Sequence, residues 1–404
     1  MASPNHAHGS RSSSPGFRNS SPGVRSGPID PRNHEPLPIS DRVGGDASFT
    51  GKGVVAAFLD SGFYAHPDIE GRVLGYHDLV GHRGGLEALH VAEASSWHGM
   101  MSTVVAAGNG SLSSGRFRAL APELKLVLVK VGTLSRVHHD DIARGIEWVL
   151  VNREKHNIRI LNISCGGDYE SSYLNDVLSR FAEAAVRAGI TVVAAVGNSG
   201  HRPGHIMPPA SVPAVISVGG IDDGGNPHLR AATGYRSSYG PTIDGIQKPE
   251  VVTLADWIAA PILPGTPTSL QAALLSKLDH AADADLKQII EENLGVYPAL
   301  DEVRAQPPYL IRHVIASGLR DGLVIDEHYK MVDGTSFAAP IVTSLVAQMI
   351  EANPKLTPQQ IKLILIKTAK RLPNLEIDRQ GWGAIQAKAA VAMALEHAKD
   401  AAAK

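Results

Sequence analysis

One serine of this chain has the sequence context of a nucleophile. It lies in the run Gly334-Thr335-Ser336-Phe337-Ala338-Ala339-Pro340, which leads into apolar positions with helical spacing: Val342, Leu345, Val346, Met349 and Ile350. The pattern places the Ser336 hydroxyl at or near a helix N-terminus, where unpaired N–H groups and the positive end of the helix dipole favour a developing oxyanion. Such a hydroxyl becomes a nucleophile only when a histidine and a carboxylate can reach it.

Asp60 and His98 are the candidate partners of this serine. The apolar run 53–59 predicts a buried strand of a parallel sheet, and Asp60 follows it, where open α/β sheets place their sites. His98 begins a helical pattern of small residues that Gly108 ends. The order Asp, His, Ser along a chain is one of those that build a nucleophile–base–carboxylate triad.

In this order, the three motifs resemble those of the subtilisin-like serine proteases, the subtilases. Asp60-Ser61-Gly62 is similar to the family's aspartate motif, and His98-Gly99 with Ala106-Ala107-Gly108 resembles its histidine motif. Gly334-Thr335-Ser336 with Ala338-Ala339-Pro340 matches its serine motif. Further segments that resemble the family in order are 121–131, Leu161–Gly167, Ala194–Gly200, 237–240, 248–252 and 381–383. The resemblance therefore covers roughly residues 46–396.

The resemblance implies a fold and a set of roles. The fold is α/β, a doubly wound and mostly parallel sheet with helices on both faces. Ser336 would attack the scissile carbonyl, His98 would move the proton, and Asp60 would hold the imidazole. Asn198 would donate its side-chain N–H to the oxyanion, together with the backbone N–H of Ser336.

The same resemblance implies the residues that bind substrate. Ser164, Cys165 and Gly166 are expected to form an edge strand that pairs with extended substrate backbone. Gly167, Ala195 and Gly197 complete small, uncharged walls around the side chain that precedes the scissile bond, the P1 residue. A neutral pocket of this kind favours large apolar P1 residues. Asp168 or Glu170 in its floor would instead favour Arg or Lys.

A second interpretation is a domain that has this fold but no catalytic activity. Taken singly, Asp-Ser-Gly and Asn-Ser-Gly are ordinary turns and Gly-Thr-Ser is an ordinary helix cap. Met100 also stands where the family usually has Thr, although all four catalytic positions are occupied. The alternative to a serine endopeptidase is thus a catalytically silent subtilase-like domain that acts as a peptide-binding or regulatory module.

Composition restricts the partners. The chain has 404 residues, 43% hydrophobic and 19% charged, with a net charge of −2. This balance predicts neither nucleic-acid nor membrane binding, leaving a peptide or protein substrate as the expected partner and the oligomeric state open. The single cysteine, Cys165, excludes an intramolecular disulfide.

Residue patterns divide the chain into a tail, a catalytic domain and an insertion. Residues 1–45 are rich in Ser, Pro and Arg and are expected to be disordered, residues 46–396 form the catalytic domain, and residues 397–404 form a C-terminal tail. Helical patterns near 268–280, 283–293 and 309–317 predict a helical insertion at about 262–325, with Asp283 as an N-cap. It is either a surface insertion with no role or a lid beside the cleft.

The sequence predicts no cofactor for catalysis and no metal ligand. His138-His139-Asp140-Asp141 looks like a ligand cluster, but Asp140 or its neighbour is better explained as the cap of a helix over 142–151. Subtilases frequently bind structural calcium, so the resemblance leaves it possible. The loop 108–118 holds no Asp or Glu and does not support a tight site, although its backbone carbonyls and Asn109 could contribute to a weaker one.

The expected location is cytoplasmic, because residues 1–45 contain no apolar run long enough for a signal peptide. A mature secreted form remains the alternative.

Overall fold

A central sheet positions the candidate residues. A computed structural model describes residues 37–81, 84–225 and 232–402 of the chain. Its strands, in chain order, are β1 (Val55–Asp60), β2 (Val73–Asp78), β3 (Lys125–Lys130), β4 (Ile158–Ile163), β5 (Thr191–Ala195), β6 (Ile216–Asp222), β7 (Thr233–Gly234), β8 (Gly240–Pro241), β9 (Gln247–Lys248), β10 (Val251–Leu254), β11 (Ile258–Pro261) and β12 (Tyr329–Val332).

α-Helices pack on both faces of this sheet and also form an insertion. They are α1 (Ile39–Val43), α2 (Ser96–Ala107), α3 (His139–His156), α4 (Val177–Arg187), α5 (Pro267–His280), α6 (Leu286–Glu292), α7 (Pro298–Val303), α8 (Pro308–Asp321), α9 (Thr335–Ala352), α10 (Pro358–Thr368), α11 (Ile377–Gln380) and α12 (Ala387–Ala402).

The predicted fold class is confirmed. The strand order is β10-β6-β5-β4-β1-β3-β2, all parallel, with β7 added antiparallel to β6. Alternate side chains of one strand enter different cores, as the pleat requires. In β1, Ala56 and Phe58 pack in the core that contains α2 and α9, whereas Ala57 and Leu59 pack in the core that contains α3 and α4.

The carboxyl ends of the parallel strands bring the candidate residues to one edge. Asp60 is the last residue of β1, Ser164 follows β4 directly, and Asn198 follows β5 by three residues. Gly334 joins this edge because its N–H donates to the carbonyl of Ala255, just after β10, at 2.8 Å. The sheet therefore gathers segments that are far apart in sequence.

The prediction of an edge strand at Ser164–Gly166 is wrong. β4 ends at Ile163 and lies between β1 and β5, so the segment continues beyond the end of an interior strand. The backbone polar groups of this segment bond to groups outside the neighbouring strands. The Ser164 carbonyl accepts the Ser336 hydroxyl at 2.9 Å, and Gly167 N–H donates to the Pro208 carbonyl at 2.8 Å.

Two predicted helix caps are also wrong. α3 begins at His139, so Asp140 lies within its first turn, where a carboxylate stabilises the positive end of the helix dipole. α6 begins at Leu286, after Asp285. The residues that precede the two helices, His138 for α3 and Asp285 for α6, make no hydrogen bond from their side chains to the first turn. Asp283 instead accepts a hydrogen bond from Arg312 Nε at 2.9 Å, because α8 brings this guanidinium beside it.

The insertion contains four helices, α5 to α8, on a two-stranded root. β11 and β12 pair antiparallel, with Pro261 opposite Tyr329, and the helices lie between them in sequence. Twelve buried apolar residues of this region, from Ile262 to Val324, form a cluster distinct from the cores of the sheet. The sequence pattern missed α7, which spans only six residues.

The chain termini differ from the prediction where the structure describes them. Most of the predicted tail 1–45 lies outside the described residues. Within 37–45, α1 is anchored because the Arg42 guanidinium is buried and donates to both carboxylate oxygens of Asp223. α12 continues to Ala402, past the expected start of a tail at 397. Within the described ranges, no helix combines the length and the apolar character needed to cross a membrane.

Candidate active site

His98 and Asp60 form a hydrogen-bonded pair at the start of α2. His98 Nδ1 lies 2.8 Å and 2.9 Å from the two carboxylate oxygens of Asp60, whose residue is 2% exposed. The Ser61 N–H donates to the same carboxylate at 2.7 Å. Gly99 permits this approach of helix and strand, because a Cβ at its position would meet the Gly62 carbonyl oxygen at 2.1 Å.

The electrostatics of the pair favour a basic imidazole. Burial alone would lower the pKa of His98, but the charge of Asp60 and its hydrogen bond outweigh burial and raise the pKa above the usual histidine value. Because Asp60 accepts at Nδ1, the Nε2 position is left to exchange a proton with a nucleophile or leaving group.

Ser336 lies in the first turn of α9, as its motif predicted. Gly334, which precedes the helix, has a φ of 137°, a value that L side chains rarely adopt. The Ser336 hydroxyl donates to the Ser164 carbonyl at 2.9 Å rather than to His98. The ring of Phe337, the next residue, lies 5.7 Å from the His98 ring. The serine and the histidine thus share one site, with the hydroxyl directed at Ser164.

The side chain of Asn198 is fixed by the same turn. Its Oδ1 accepts from the Thr335 N–H at 3.0 Å and from the Thr335 hydroxyl at 2.9 Å. Its Nδ2 lies 3.8 Å from the position that a Cβ would take on Gly334. Because the oxygen is held on Thr335, the amide nitrogen lies toward the turn that carries Ser336.

The predicted substrate residues divide into two groups. Ser164, Gly166 and Gly167 lie in the segment that follows β4, whereas Ala195 and Gly197 lie at the end of β5 and just after it. The first segment contacts Ser336 through the Ser164 carbonyl. Cys165 is different because its side chain is buried and its Sγ lies 3.8 Å from the Leu59 carbonyl oxygen. Burial raises the pKa of this thiol well above its usual value. Cys165 therefore contributes its backbone at most.

Met207 and His139 support the Gly166-Gly167 segment, and sequence reasoning missed both as site residues. A Cβ on Gly166 would lie 3.5 Å from Met207 Cβ, and one on Gly167 would lie 2.4 Å from His139 Nδ1. His139 is anchored through Nε2 to Asp176 at 2.7 Å, and its ring stacks on Tyr169 at 4.4 Å. The sequence marked His139 only as part of the cluster His138-His139-Asp140-Asp141, which suggested metal binding.

Both acids that could have charged the pocket have other partners. Asp168 accepts the His139 N–H at 3.1 Å and lies 3.7 Å from the Arg136 guanidinium. Glu170 lies 2.8 Å from His205 Nδ1. Among the residues that the structure describes, no group of three or more His, Cys, Asp or Glu side chains could hold a metal ion.

A buried carboxylate, Asp68, organises the loop after α2. Asp68 Oδ2 accepts from the Tyr329 hydroxyl at 2.5 Å, and Oδ1 accepts from the Ser111 hydroxyl at 2.8 Å and from the Leu112 N–H at 3.3 Å. The guanidinium of Arg72 donates to the carbonyls of Asp68 and Ala107. The Arg72 guanidinium therefore lies beside the backbone oxygens of this loop.

Comparison with known proteins gives one family along most of the chain. The model of the subtilase family matches residues 51–383. Serine protease AprX of Bacillus subtilis (strain 168) is 30% identical over 357 residues, which are 85% of this chain and 67% of that protein. The thermostable alkaline protease of Halalkalibacterium halodurans is 34% identical over 210 residues, 48% of this chain and 47% of that protein. The chain thus spans from about half to two thirds of the length of these relatives.

Solved structures give the same fold. Fervidolysin of Fervidobacterium pennivorans, a keratinolytic enzyme related to subtilisin, superposes with a TM-score of 0.56 at 21% identity over 85% of this chain and 43% of that one. A cold adapted subtilisin-like serine proteinase superposes with a TM-score of 0.53 at 19% identity over 84% of this chain and 89% of that one.

Proposed function

Since this chain belongs to the subtilase family, we propose that it is a serine endopeptidase. Ser336 is the nucleophile, His98 the general base and acid, Asp60 the carboxylate that orients the imidazole, and Asn198 the oxyanion donor. The observation that carries the proposal is the His98–Asp60 pair at 2.8 Å, in one site with a serine at a helix N-terminus and an amide oriented by Thr335.

The proposed reaction has two halves. Ser336 Oγ attacks the scissile carbonyl while His98 Nε2 takes its proton, and the resulting oxyanion is stabilised by Asn198 Nδ2 and the Ser336 N–H. When the tetrahedral intermediate collapses, the C–N bond breaks and His98 returns the proton to the leaving amine. Water, deprotonated by His98, then attacks the acyl carbonyl. The Ser336 Oγ–acyl bond breaks, His98 gives the proton to Ser336 Oγ, and the acid leaves.

The hydrogen bond between Ser336 and Ser164 defines the state of the nucleophile before the reaction. Before attack, the Ser336 hydroxyl must rotate from the Ser164 carbonyl to His98, a change of one side-chain rotamer. Substrate backbone beside this segment can supply an N–H to the Ser164 carbonyl. Binding would then release the hydroxyl as the peptide arrives, which aligns the nucleophile only when a substrate is present.

The expected P1 preference is large and apolar. The segments around the site carry glycine and alanine, and the two acids nearest in sequence, Asp168 and Glu170, are partnered elsewhere. A cation in this pocket would lack a free carboxylate, whereas an apolar side chain gains roughly 1.5–3 kcal/mol by burial. We expect Leu, Phe or Met to exceed Arg and Lys by about tenfold in kcat/KM.

A peptide library with P1 varied measures this preference directly. Dominant cleavage after Arg or Lys would contradict it and would implicate Asp168 or Glu170. The variant Glu170→Gln separates the two acids, because it abolishes a basic preference only if Glu170 is responsible. Asp168→Asn provides the matched comparison.

Calcium and cofactors have no part in the proposed chemistry. The loop 108–118 has no acidic side chain, and the oxygens around Asp68 are occupied by Tyr329, Ser111 and Arg72. This donor set does not fit calcium. The proposed partner is a peptide or protein, with a cytoplasmic location as the expectation and the oligomeric state left open.

A fluorophosphonate probe tests the proposed function. It reacts with a serine that a neighbouring base activates, so we expect wild-type protein to label at Ser336 and to cleave casein. Ser336→Ala should retain its fold, measured by circular dichroism and thermal melting, and lose labelling and nearly all activity, because the triad acts as a unit. Folded wild-type protein that neither labels nor cleaves would instead support a silent, peptide-binding domain.

A further inference from the structure

The residue before His98 is a partly exposed tryptophan. Trp97 is 37% exposed, although it lies in the first turn of α2 among residues that are mostly buried. Its ring centroid lies 5.2 Å from that of His98 with the planes at 89°, an edge-to-face contact. An aromatic surface of this size, left open to solvent beside a proposed catalytic group, is a site for an apolar ligand group.

Packing alone does not account for Trp97. A second aromatic ring already covers His98 from the protein interior, because Phe337 is 3% exposed and lies 5.7 Å from the imidazole. Phe337 belongs to the main core, whereas Trp97 does not. The imidazole is thus covered by one buried ring and one exposed ring, and the exposed ring is the one that a substrate can contact.

We propose that Trp97 is a specificity-determining residue that contacts the side chain of the residue on the leaving side of the scissile bond, the P1′ residue, and favours large apolar groups there. The inference rests on the proposed function, because it requires His98 to protonate the leaving amine. That nitrogen must come within about 2.6–3.2 Å of the imidazole. The P1′ Cα is only about 1.5 Å further on, so its side chain starts beside the rings that flank His98.

The size of the effect follows from the surface that can be covered. A leucine or phenylalanine at P1′ would bury one of its faces against the indole, whereas glycine would bury almost none. Partial burial of such a side chain corresponds to about a fivefold preference. The preference should depend on the aromatic surface at position 97 and should be independent of the P1 residue.

Partitioning of the acyl-enzyme isolates the leaving side. An ester substrate acylates Ser336 and releases its alcohol. An added amino-acid amide then attacks the ester carbonyl through its amine, His98 takes the proton, a peptide bond forms, and the Ser336 Oγ–acyl bond breaks. By microscopic reversibility the amide occupies the P1′ position. The ratio of peptide to free acid, measured with Leu-amide and with Gly-amide, reports this position alone because the acyl group is constant.

Wild-type protein should favour Leu-amide over Gly-amide by about fivefold. Trp97→Ala should bring the two ratios close together, and Trp97→Phe should keep most of the preference. The matched control is Trp382→Ala. Trp382 is 52% exposed and follows α11. Its backbone N–H donates to the Glu250 carbonyl, so it lies at the amino end of β10, whereas the candidate residues lie at the carboxyl ends of the strands. We expect its removal to change neither ratio.

Each other outcome overturns the inference in a recognisable way. Unchanged partitioning in an active Trp97→Ala enzyme overturns the inference and leaves the proposed function intact. A change confined to esters that vary at P2 places Trp97 on the acyl side. An equal loss for all amides, with a shifted pH profile, makes it a positioning residue for His98. If wild-type protein forms no acyl-enzyme, both proposals fail. Trp97→Gln, of similar reach, replaces Trp97→Ala if that variant does not fold.

Discussion

The His98–Asp60 pair is the most constrained contact of the site. Both carboxylate oxygens of Asp60 lie within hydrogen-bond distance of one imidazole nitrogen, and the Ser61 N–H adds a further bond to the carboxylate. A carboxylate that faces the ring at this distance stabilises positive charge on it. The geometry therefore favours transient protonation of His98 during a reaction.

This pair predicts a pH profile. His98 must be neutral to act as a base, so kcat/KM should rise with pH through the pKa of His98 and then level off. Because Asp60 raises this pKa, the rising limb should lie above the usual histidine value of about 6.5. Activity is lost below this limb as His98 becomes protonated.

Asp60→Asn provides the control for the pH profile. It removes the negative charge while keeping the size of the side chain, so the residual activity should be much lower and its rising limb should move to lower pH. The measurement is kcat/KM against pH on one small peptide substrate for both proteins. A wild-type profile that peaks near pH 4 would contradict the assignment, because it would indicate a carboxylate base.

Residues in local motifs could be predicted from the sequence, and their supporting partners could not. Asp60, His98, Asn198 and Ser336 each lie at the end of a strand or the start of a helix, within a short run that marks that position. Met207 meets Gly166 from 41 positions away, and this contact leaves no local pattern. The hydrogen bond from Ser336 to Ser164 spans 172 positions and is likewise invisible in sequence.

At the level of elements, β12 connects three parts of the molecule. It pairs with β11, its continuation carries Gly334 and Ser336, and its first residue, Tyr329, donates to Asp68. Burial and the Asp68 carboxylate together raise the pKa of the Tyr329 phenol far above its usual value, so the hydroxyl remains a donor. The root of the insertion is thereby fixed to the loop after the histidine helix.

This contact predicts how the loop is stabilised. Tyr329→Phe would leave Asp68 Oδ2 buried without its donor, which costs about 1–3 kcal/mol of stability. We expect a lower thermal midpoint in this variant. Tyr309→Phe, at a residue with an exposed side chain, should change the midpoint little. A chelator should leave the wild-type midpoint unchanged. A large fall on chelation, reversed by calcium, would contradict the role given to Tyr329.

Elements were predicted best where their period was clear. The buried strand that ends at Asp60 follows from a continuous apolar run. The helices that carry His98 and Ser336 follow from a pattern of small residues and from apolar residues with helical spacing. Helix starts were predicted less well. In α3, His139 enters the helix because Asp176, on another element, holds its ring at 2.7 Å. A tertiary contact of this kind overrides the local preference of Asp140 for a cap position.

At the scale of the whole molecule, the insertion has a core of its own. Its helices bury their apolar side chains mainly against each other, in a cluster distinct from the two cores of the sheet. Its surface carries an open cleft of about 390 Å³, lined by α5, α6 and Glu327. A unit with its own core, attached through two paired strands, has the organisation of a platform added to a catalytic domain.

Removing the insertion tests whether it presents large substrates to the site. The Ile262 N–H donates to the His328 carbonyl at 2.7 Å, so these two residues already face each other at the end of the β11–β12 pair. Replacing residues 263–327 by Asn-Gly would close the pair with a two-residue turn that suits antiparallel strands. Tyr329 and its bond to Asp68 are retained.

The shortened protein should hydrolyse a small chromogenic peptide at close to the wild-type rate, because Asp60, His98, Asn198 and Ser336 all lie outside the deleted segment. Cleavage of folded proteins should fall by about tenfold, since the deleted insertion would no longer hold them near Ser336. The measurement is kcat/KM on both substrates with the same preparations, normalised to Ser336 labelled by the fluorophosphonate. Equal loss on both substrates, at equal labelling, would show that the insertion supports the site itself. Equal retention would show that it is a surface addition without a role in substrate choice.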